Sequence, residues 1–256
     1  MQSPIDQLKS ALAQRQQQAM PIRLFFRNDD VDEDEAALWR LARLFLQRNT
    51  PINLAVIPGR LTAACGELLA QAVSDAPALV ELNQHGWRHI NHECEGRKSE
   101  FGPGRAYAEQ FADIALGQAR MTEAFGQNWF PVFIPPWNRC SEGAYRALDH
   151  LGFRALSAKQ GNSAVAGYRF KEISITLDLF RWRGGARLKS SEEIVGDLIA
   201  QLSRRQTIGV MLHHKVMDER AYSLLSSMLD TLASYPIVRF YTFQSLLRLD
   251  DERPQT

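Results

Sequence analysis

Short apolar runs recur along this chain, each long enough for a buried strand, and segments of helical spacing lie between many of them. The runs are IRLFF at 22–26, INLAVI at 52–57, ALVEL at 78–82, PVFI at 131–134, FRALS at 153–157, ISITLDL at 173–179, TIGVML at 207–212 and IVRFYTF at 237–243. Helical spacing covers 34–48, 62–73, 106–125, 141–150, 190–204 and 219–234. Strand followed by helix, many times over, predicts an α/β chain with a parallel sheet. About eight such units in 256 residues predict a closed or nearly closed barrel, with an open doubly wound sheet as the alternative. The first strand-to-helix turn, FRNDDVDEDE, is acidic where a dinucleotide site needs glycines and an open helix N-terminus, which weakens the nucleotide-binding version of the open sheet. The loosest stretch, 157–169, reads as a loop within one domain. The expected organisation is a helical extension over 1–21 and a single barrel domain over 22–250.

Composition narrows the function classes. Lys and Arg number 30 against 29 Asp and Glu, so no basic footprint points to nucleic acid or to a membrane surface. The first twenty residues hold no long apolar stretch, and no later run approaches the 18 or so apolar residues of a membrane span. These features predict a cytoplasmic protein acting on a small-molecule or oligosaccharide substrate. Three cysteines at irregular spacing, Cys65, Cys94 and Cys140, fit reduced thiols better than a disulfide framework. Cys94 lies near the histidines but reads as a loop thiol without a role.

In a barrel, function gathers where the C-terminal strand ends meet the following loops. FRNDD, NQHGWRH, IPPWNR, LDLFRW and LHHK fall there, and with them five of the six histidines; His150 sits in a predicted helix. Asp32-x-x-Glu35 has capping-box spacing and needs no further role. Asp29 and Asp30 remain, side by side at a strand end, where like charges repel unless a cation or proton intervenes; a structural pairing with Arg27 is the competing reading. His85 and His89 converge if their segment is helical, or through a loop opened by Gly86. With a strand-end carboxylate they match a three-ligand catalytic metal site, and His92 falls to a supporting or substrate contact. His213 and His214 end a strand, so one of them faces the pocket as a general acid/base and the other packs behind it.

RNDDVD, HGWRH, PPWN and MLHH, in this order, resemble the NodB-like polysaccharide deacetylases, carbohydrate esterase family four, over roughly residues 22–245. The resemblance implies a distorted (β/α)7 barrel and a divalent metal ion, zinc first, with cobalt, iron, manganese or nickel as alternatives. It implies Asp29 as general base, Asp30, His85 and His89 as metal ligands, and a late Leu-x-His element. Matched to the letter, that element is Leu212 and His214; taking the histidine directly after Met-Leu gives His213, the preferred acid. Two departures stand out. Where the family has Arg-x-Pro-aromatic, this chain has Ile134-Pro135-Pro136-Trp137, and where it has Asp-x-x-Asp-Trp, this chain has Asp178-x-x-Arg181-Trp182. Arg181 or Arg139 is therefore expected to supply the cation beside Asp29.

The activity implied is metal-dependent hydrolysis of a non-peptide C–N bond, most simply N-deacetylation of an acylated amino sugar or similar small amide. An allantoinase-like cyclic amide or ureide hydrolase is the enzymatic alternative, and a non-catalytic carbohydrate-binding protein on the same scaffold is the alternative from another class. Trp87, Trp137 and Trp182 each sit beside a motif and offer faces for a sugar ring. Arg97 and Lys98 follow the histidine loop and are either a solvated charged stretch or a clamp for a substrate carboxylate or phosphate.

Overall fold

The computed structural model describes residues 2–161 and 165–251, so residues 162–164 of the expected 157–169 loop lie outside the described residues. The strands are β1 (Ile22–Val31), β2 (Ile52–Val56), β3 (Val80–His85), β4 (Val132–Ile134), β5 (Ala155–Leu156), β6 (Lys171–Glu172), β7 (Leu177–Asp178), β8 (Phe180–Arg181), β9 (Arg187–Leu188), β10 (Thr207–Leu212) and β11 (Val238–Phe240). The helices are α1 (Pro4–Gln17), α2 (Ala36–Leu46), α3 (Ala63–Asp75), α4 (Tyr107–Phe125), α5 (Glu142–His150), α6 (Ser191–Leu202), α7 (Glu219–Ala233) and α8 (Phe243–Asp251). Side-chain oxygens of Ser3, Thr62, Ser190 and Asp218 accept the early backbone N–H groups of α1, α3, α6 and α7, which fixes where those helices begin.

Parallel pairing runs β6-β5-β4-β3-β2-β1-β10-β7. The segment 171–178 closes the circuit. Its first half donates to β5 and the residues after it (Ile173 N to Leu156 O, Ile175 N to Ala158 O), and its second half turns to β10 (Thr176 N to Gly209 O). The result is a distorted (β/α) barrel in one domain. Part of the distortion is visible at β1, whose N-terminal half pairs with β11 and whose C-terminal half pairs with β2.

Side chains alternate between the two faces of a strand, and that alternation builds the interior. From β1, Leu24 and Phe26 pack outward under the helices, while Phe25 packs with Ala55, Val132, Ile134, Ala155 and Met211 inside. Helix α8 plugs the N-terminal mouth, adding Phe243, Leu246 and Leu247 to that inner cluster. Gly209 lacks a Cβ for a stated reason: one built there would lie 2.2 Å from the Phe25 ring. Helix α1 buries Leu8 and Leu12 in the same outer layer as α6 and α7.

Four expectations change. The run at 173–179 is strand only at Leu177–Asp178, because the chain crosses there from β5 to β10. The run at 22–26 continues to Val31 as β1, because the polar residues after Phe26 are strand residues facing the barrel mouth. The run at 237–243 is strand only at Val238–Phe240 and then turns into α8, whose first N–H groups are accepted by Asn53 and Glu81. Asp32 does not cap α2: Glu35 holds the N-cap position without a side-chain bond, and the fully buried Asp32 is paired with Arg60 (2.7 Å) and Lys215. No helix among the described residues is long and apolar enough to cross a membrane.

Candidate active site

Asp29 and Asp30 are neighbours, so a regular strand would send them to opposite faces. β1 avoids this with a bulge. Its register with β2 advances three residues, Asn28 to Val31, while β2 advances two, Leu54 to Val56. Asp30 takes up the extra residue at φ +67°, a left-handed conformation that aspartate tolerates better than bulkier residues. Both carboxylates then reach the barrel mouth.

Asp30, His85 and His89 offer ligand atoms that all lie within 4.8 Å of one another. Asp30 Oδ1 is 3.2 Å from His85 Nε2 and 3.3 Å from His89 Nε2. His85 ends β3, and its Nδ1 lies 3.0 Å from the Ile134 carbonyl oxygen. Only a protonated Nδ1 bonds to a carbonyl, so this contact orients the ring with Nε2 toward Asp30, where it can serve a metal ion. His89 comes from a loop and not from a helix, again with positive φ, +57°. Burial opposes charge on Asp30, but the His85 bond and the nearby imidazoles outweigh it and hold this carboxyl below the usual range. Burial and the His85 charge push His89 down to about 4, leaving it a neutral donor. Burial works against charge on His85, but its bond to Asp30 and the two nearby carboxylates outweigh it and raise its pKa. One carboxylate and two imidazoles are a donor set that fits a catalytic divalent ion, which would displace the His85 proton on binding.

Asp29 lies beside this group and is 2 % exposed. Its two oxygens accept a bidentate pair of bonds from Arg27 Nε and Nη2, both 2.8 Å. Arg27 is completely buried; it also donates to the Ser157 carbonyl, to Ser157 Oγ and to Asn138 Oδ1. The cation beside Asp29 is therefore Arg27, from the same strand face two residues earlier. Arg139 instead donates to the Lys98 carbonyl, and Arg181 pairs with Glu193. This corrects the expectation for both arginines.

His213 Nε2 lies 4.0 Å from Asp29 Oδ2. Its ring meets the Trp182 indole edge-on at 4.4 Å, and its Nδ1 is buried without a partner among the described residues. Trp182 donates from Nε1 to Asp178, whose pKa burial raises against the opposing pull of that bond and of the Phe180 N–H. His214 turns the other way, with Nδ1 3.0 Å from Asn28 Nδ2 and Nε2 3.4 Å from Glu35, and burial lowers it to about 4. Leu212 is fully buried in the layer beneath the helices, away from the mouth.

Trp137 packs its ring 4.3 Å from His89, so two indoles flank the site. Trp137 and Asn138 both have positive φ; with Asp30 and His89 they make four of the six such non-glycine residues among those described, and strained backbone of this kind concentrates at functional sites. Trp87 is half-buried against the cluster around Phe101 and Phe133, with the Arg88 guanidinium 5.5 Å from its ring centre. His92 and Lys98 are exposed, and Cys94 is an exposed free thiol. Arg97 and Arg139 line a cavity of about 370 Å³ together with Glu93, Glu95 and Ser99.

The sequence offered an Arg27 pairing only as a structural alternative to function at the aspartates, gave Asn138 of PPWN no role, and missed Ser157 and Glu100. Glu100 is almost fully buried, and burial raises its pKa although three backbone N–H groups pull it down. Alternation along β1 would have found Arg27. Asn138 lies in the PPWN motif without a role assigned to it, and nothing local marks Ser157 or Glu100.

No family model matches the chain, and no curated protein matches it in sequence. Solved structures do. A protein from Mycobacterium smegmatis described as a polysaccharide deacetylase superposes with a TM-score of 0.71 at 16% identity, covering 93% of this chain and 94% of its own. A family 4 acetyl xylan esterase from Clostridium thermocellum, in complex with cobalt, gives 0.63 at 16% identity over 90% and 92%. A peptidoglycan N-acetylglucosamine deacetylase gives 0.57 at 13% identity over 88% of each chain. With the motifs and the barrel circuit already in place, these likenesses show that the chain has the fold of the NodB-like polysaccharide deacetylases and family 4 carbohydrate esterases, in a divergent sequence.

Proposed function

We propose that this protein is a divalent-metal-dependent hydrolase that removes the acyl group from an acylated amino sugar or a similar small amide. The observation that carries the reading is the placement of Asp29, fixed by Arg27, beside the Asp30, His85 and His89 cluster, with His213 next to it.

Asp30, His85 and His89 would hold the ion, which when bound lowers the pKa of water and polarises the acyl carbonyl. The chain's own groups do the rest. Asp29, held in place by the guanidinium behind it, takes the proton of the attacking water. His213 is placed to return a proton to the departing nitrogen, a step that an amide needs more than an ester does because an amine anion is the poorer leaving group. The Trp137 and Trp182 indoles offer faces for a sugar ring on either side. Arg97 and Arg139, with Lys98 beside them, would receive an anionic substituent on the substrate.

Arg27 also weighs against a purely binding role, since it places a cation beside Asp29 where the Ile134-Pro135-Pro136-Trp137 departure removes the family's arginine. Zinc is the metal we infer first, and a reducing, cytoplasmic setting agrees with three free cysteines. The test is metal analysis of the purified protein together with acetate release from N-acetylated sugars, with Asp29→Asn as control. Bound metal and acetate release that collapses in the variant support the reading. Absence of metal, or activity untouched by the substitution, removes it; hydrolysis confined to cyclic amides or ureides would move the assignment to that substrate class.

A further inference from the structure

The loop carrying His89 has a buried support that neither the proposed mechanism nor the motif uses. Glu100 is 1 % exposed and comes from the charged stretch after the histidines. Its Oε1 accepts the backbone N–H of Arg88 at 2.7 Å and, more weakly, that of Ile90 at 3.5 Å; its Oε2 accepts the N–H of Trp87 at 3.2 Å. Trp87, Arg88 and Ile90 thus turn their N–H groups onto one carboxylate, as a backbone nest wraps an anion. His89 sits in the middle of this turn with φ +57°.

Gly86 makes the arrangement possible. Its φ is +58°, and a Cβ built there would lie 2.2 Å from Glu100 Oε2 and 2.6 Å from Pro136 Cγ, so any side chain at 86 evicts the carboxylate. Trp137 packs on the His89 ring from another side but bonds to none of these N–H groups. Without Glu100 the Trp87 and Arg88 N–H groups, in a tightly packed pocket, lose their acceptor, and the left-handed turn loses what offsets its strain.

We propose that Glu100 is a positioning residue that holds the Trp87–Ile90 turn so that His89 Nε2 stays poised beside Asp30 before any ion arrives. The proposal rests on reading Asp30, His85 and His89 as the metal ligands. Zinc affinity, measured by competition with a chromophoric chelator, should fall about 10- to 100-fold in Glu100→Ala, the usual effect of removing an outer-shell partner of a ligand. Glu100→Gln retains one acceptor oxygen but sets an NH2 against a backbone donor, and should fall between. In the metal-free protein, amide hydrogen exchange across 86–92 should quicken in both variants while β1 and β10 stay protected, a change that a remote stability effect would not confine to this loop. Wild-type zinc affinity with unchanged exchange in Glu100→Gln, or in Glu100→Ala where that variant folds, overturns the proposal and leaves the metal site standing. If His89→Ala binds zinc as tightly as the wild type, the ligand assignment itself fails, and that outcome is separable from the first.

Discussion

Asp29 and Arg27 are the pair on which the proposed chemistry depends, and both are buried. A bidentate guanidinium–carboxylate contact inside the barrel fixes the orientation of the base at the cost of desolvating both groups. Arg27→Met should therefore destabilise the protein by about 3–5 kcal/mol in denaturant unfolding, since it removes one partner of a buried pair. Arg27→Met combined with Asp29→Leu should recover much of that loss and yet remain inactive; equal instability of the single and double variants would show that the pair matters through packing and not through charge. Asp29→Asn keeps the Arg27 contact on one oxygen and removes the proton acceptor. Its turnover should drop roughly 10²- to 10⁴-fold with zinc binding retained, the range for losing a general base. At this scale the sequence was informative wherever chemistry and strand ends coincide. Asp29, Asp30, His85, His89 and His213 were legible because acids and imidazoles at strand ends have few other uses. The supporting shell was not. Ser157 and Asn138 reach Arg27 across more than a hundred residues, and Glu100 resembles any charged loop residue until its buried acceptor role is seen.

Elements were readable to the extent that their residues are apolar. The helix and strand alternation gives the barrel, and β10 has the bounds of its apolar run because all of it is strand. β1 was cut short at Phe26 for the opposite reason: its last five residues carry charge or amide groups or follow them, and only tertiary placement makes them strand. α8 was hidden behind β11 because its start is fixed by remote acceptors. Asn53 Oδ1 takes the Phe243 N–H and Glu81 Oε2 the Gln244 N–H, both at 2.9 Å, in place of a local cap. Glu81 is buried among the lower strands, and that burial raises its pKa above the ordinary glutamate value despite its bonds from Asn83 and Gln244. A carboxyl with a raised folded-state pKa binds its proton more tightly folded than unfolded, so its contribution is complete below the unfolded value and fades as pH climbs through the folded one. Glu81→Gln lacks this titration and still presents an acceptor to α8. The variant's melting temperature minus that of the wild type should grow more positive from acid toward neutral pH. A difference independent of pH would mean that Glu81 does not titrate in that window.

The whole barrel is tied together at its mouth by groups from distant parts of the chain: Asp30 on the β1 bulge, His85 at the end of β3 and His89 in the loop beyond it, with Arg27 reaching to the residue after β5. An ion held by the first three would tie β1 to β3 and its loop. The unfolded chain has no equivalent site, so binding adds directly to folding stability by mass action. At a free zinc concentration 100 times the dissociation constant the gain is about 2.7 kcal/mol, which for a chain of this size corresponds to a rise in melting temperature of roughly 5–10 °C. Wild-type protein melted with zinc and with chelator should differ by that amount, while Asp30→Ala and His85→Ala should melt alike in both. Asp29→Asn should keep the shift, because Asp29 is assigned to proton transfer and not to the ion. Glu100→Ala should show a smaller shift at the same zinc concentration, since a weaker dissociation constant enters through its logarithm. A zinc shift that survives Asp30→Ala in full would place the bound ion elsewhere on the molecule, and with it the centre of the proposed chemistry.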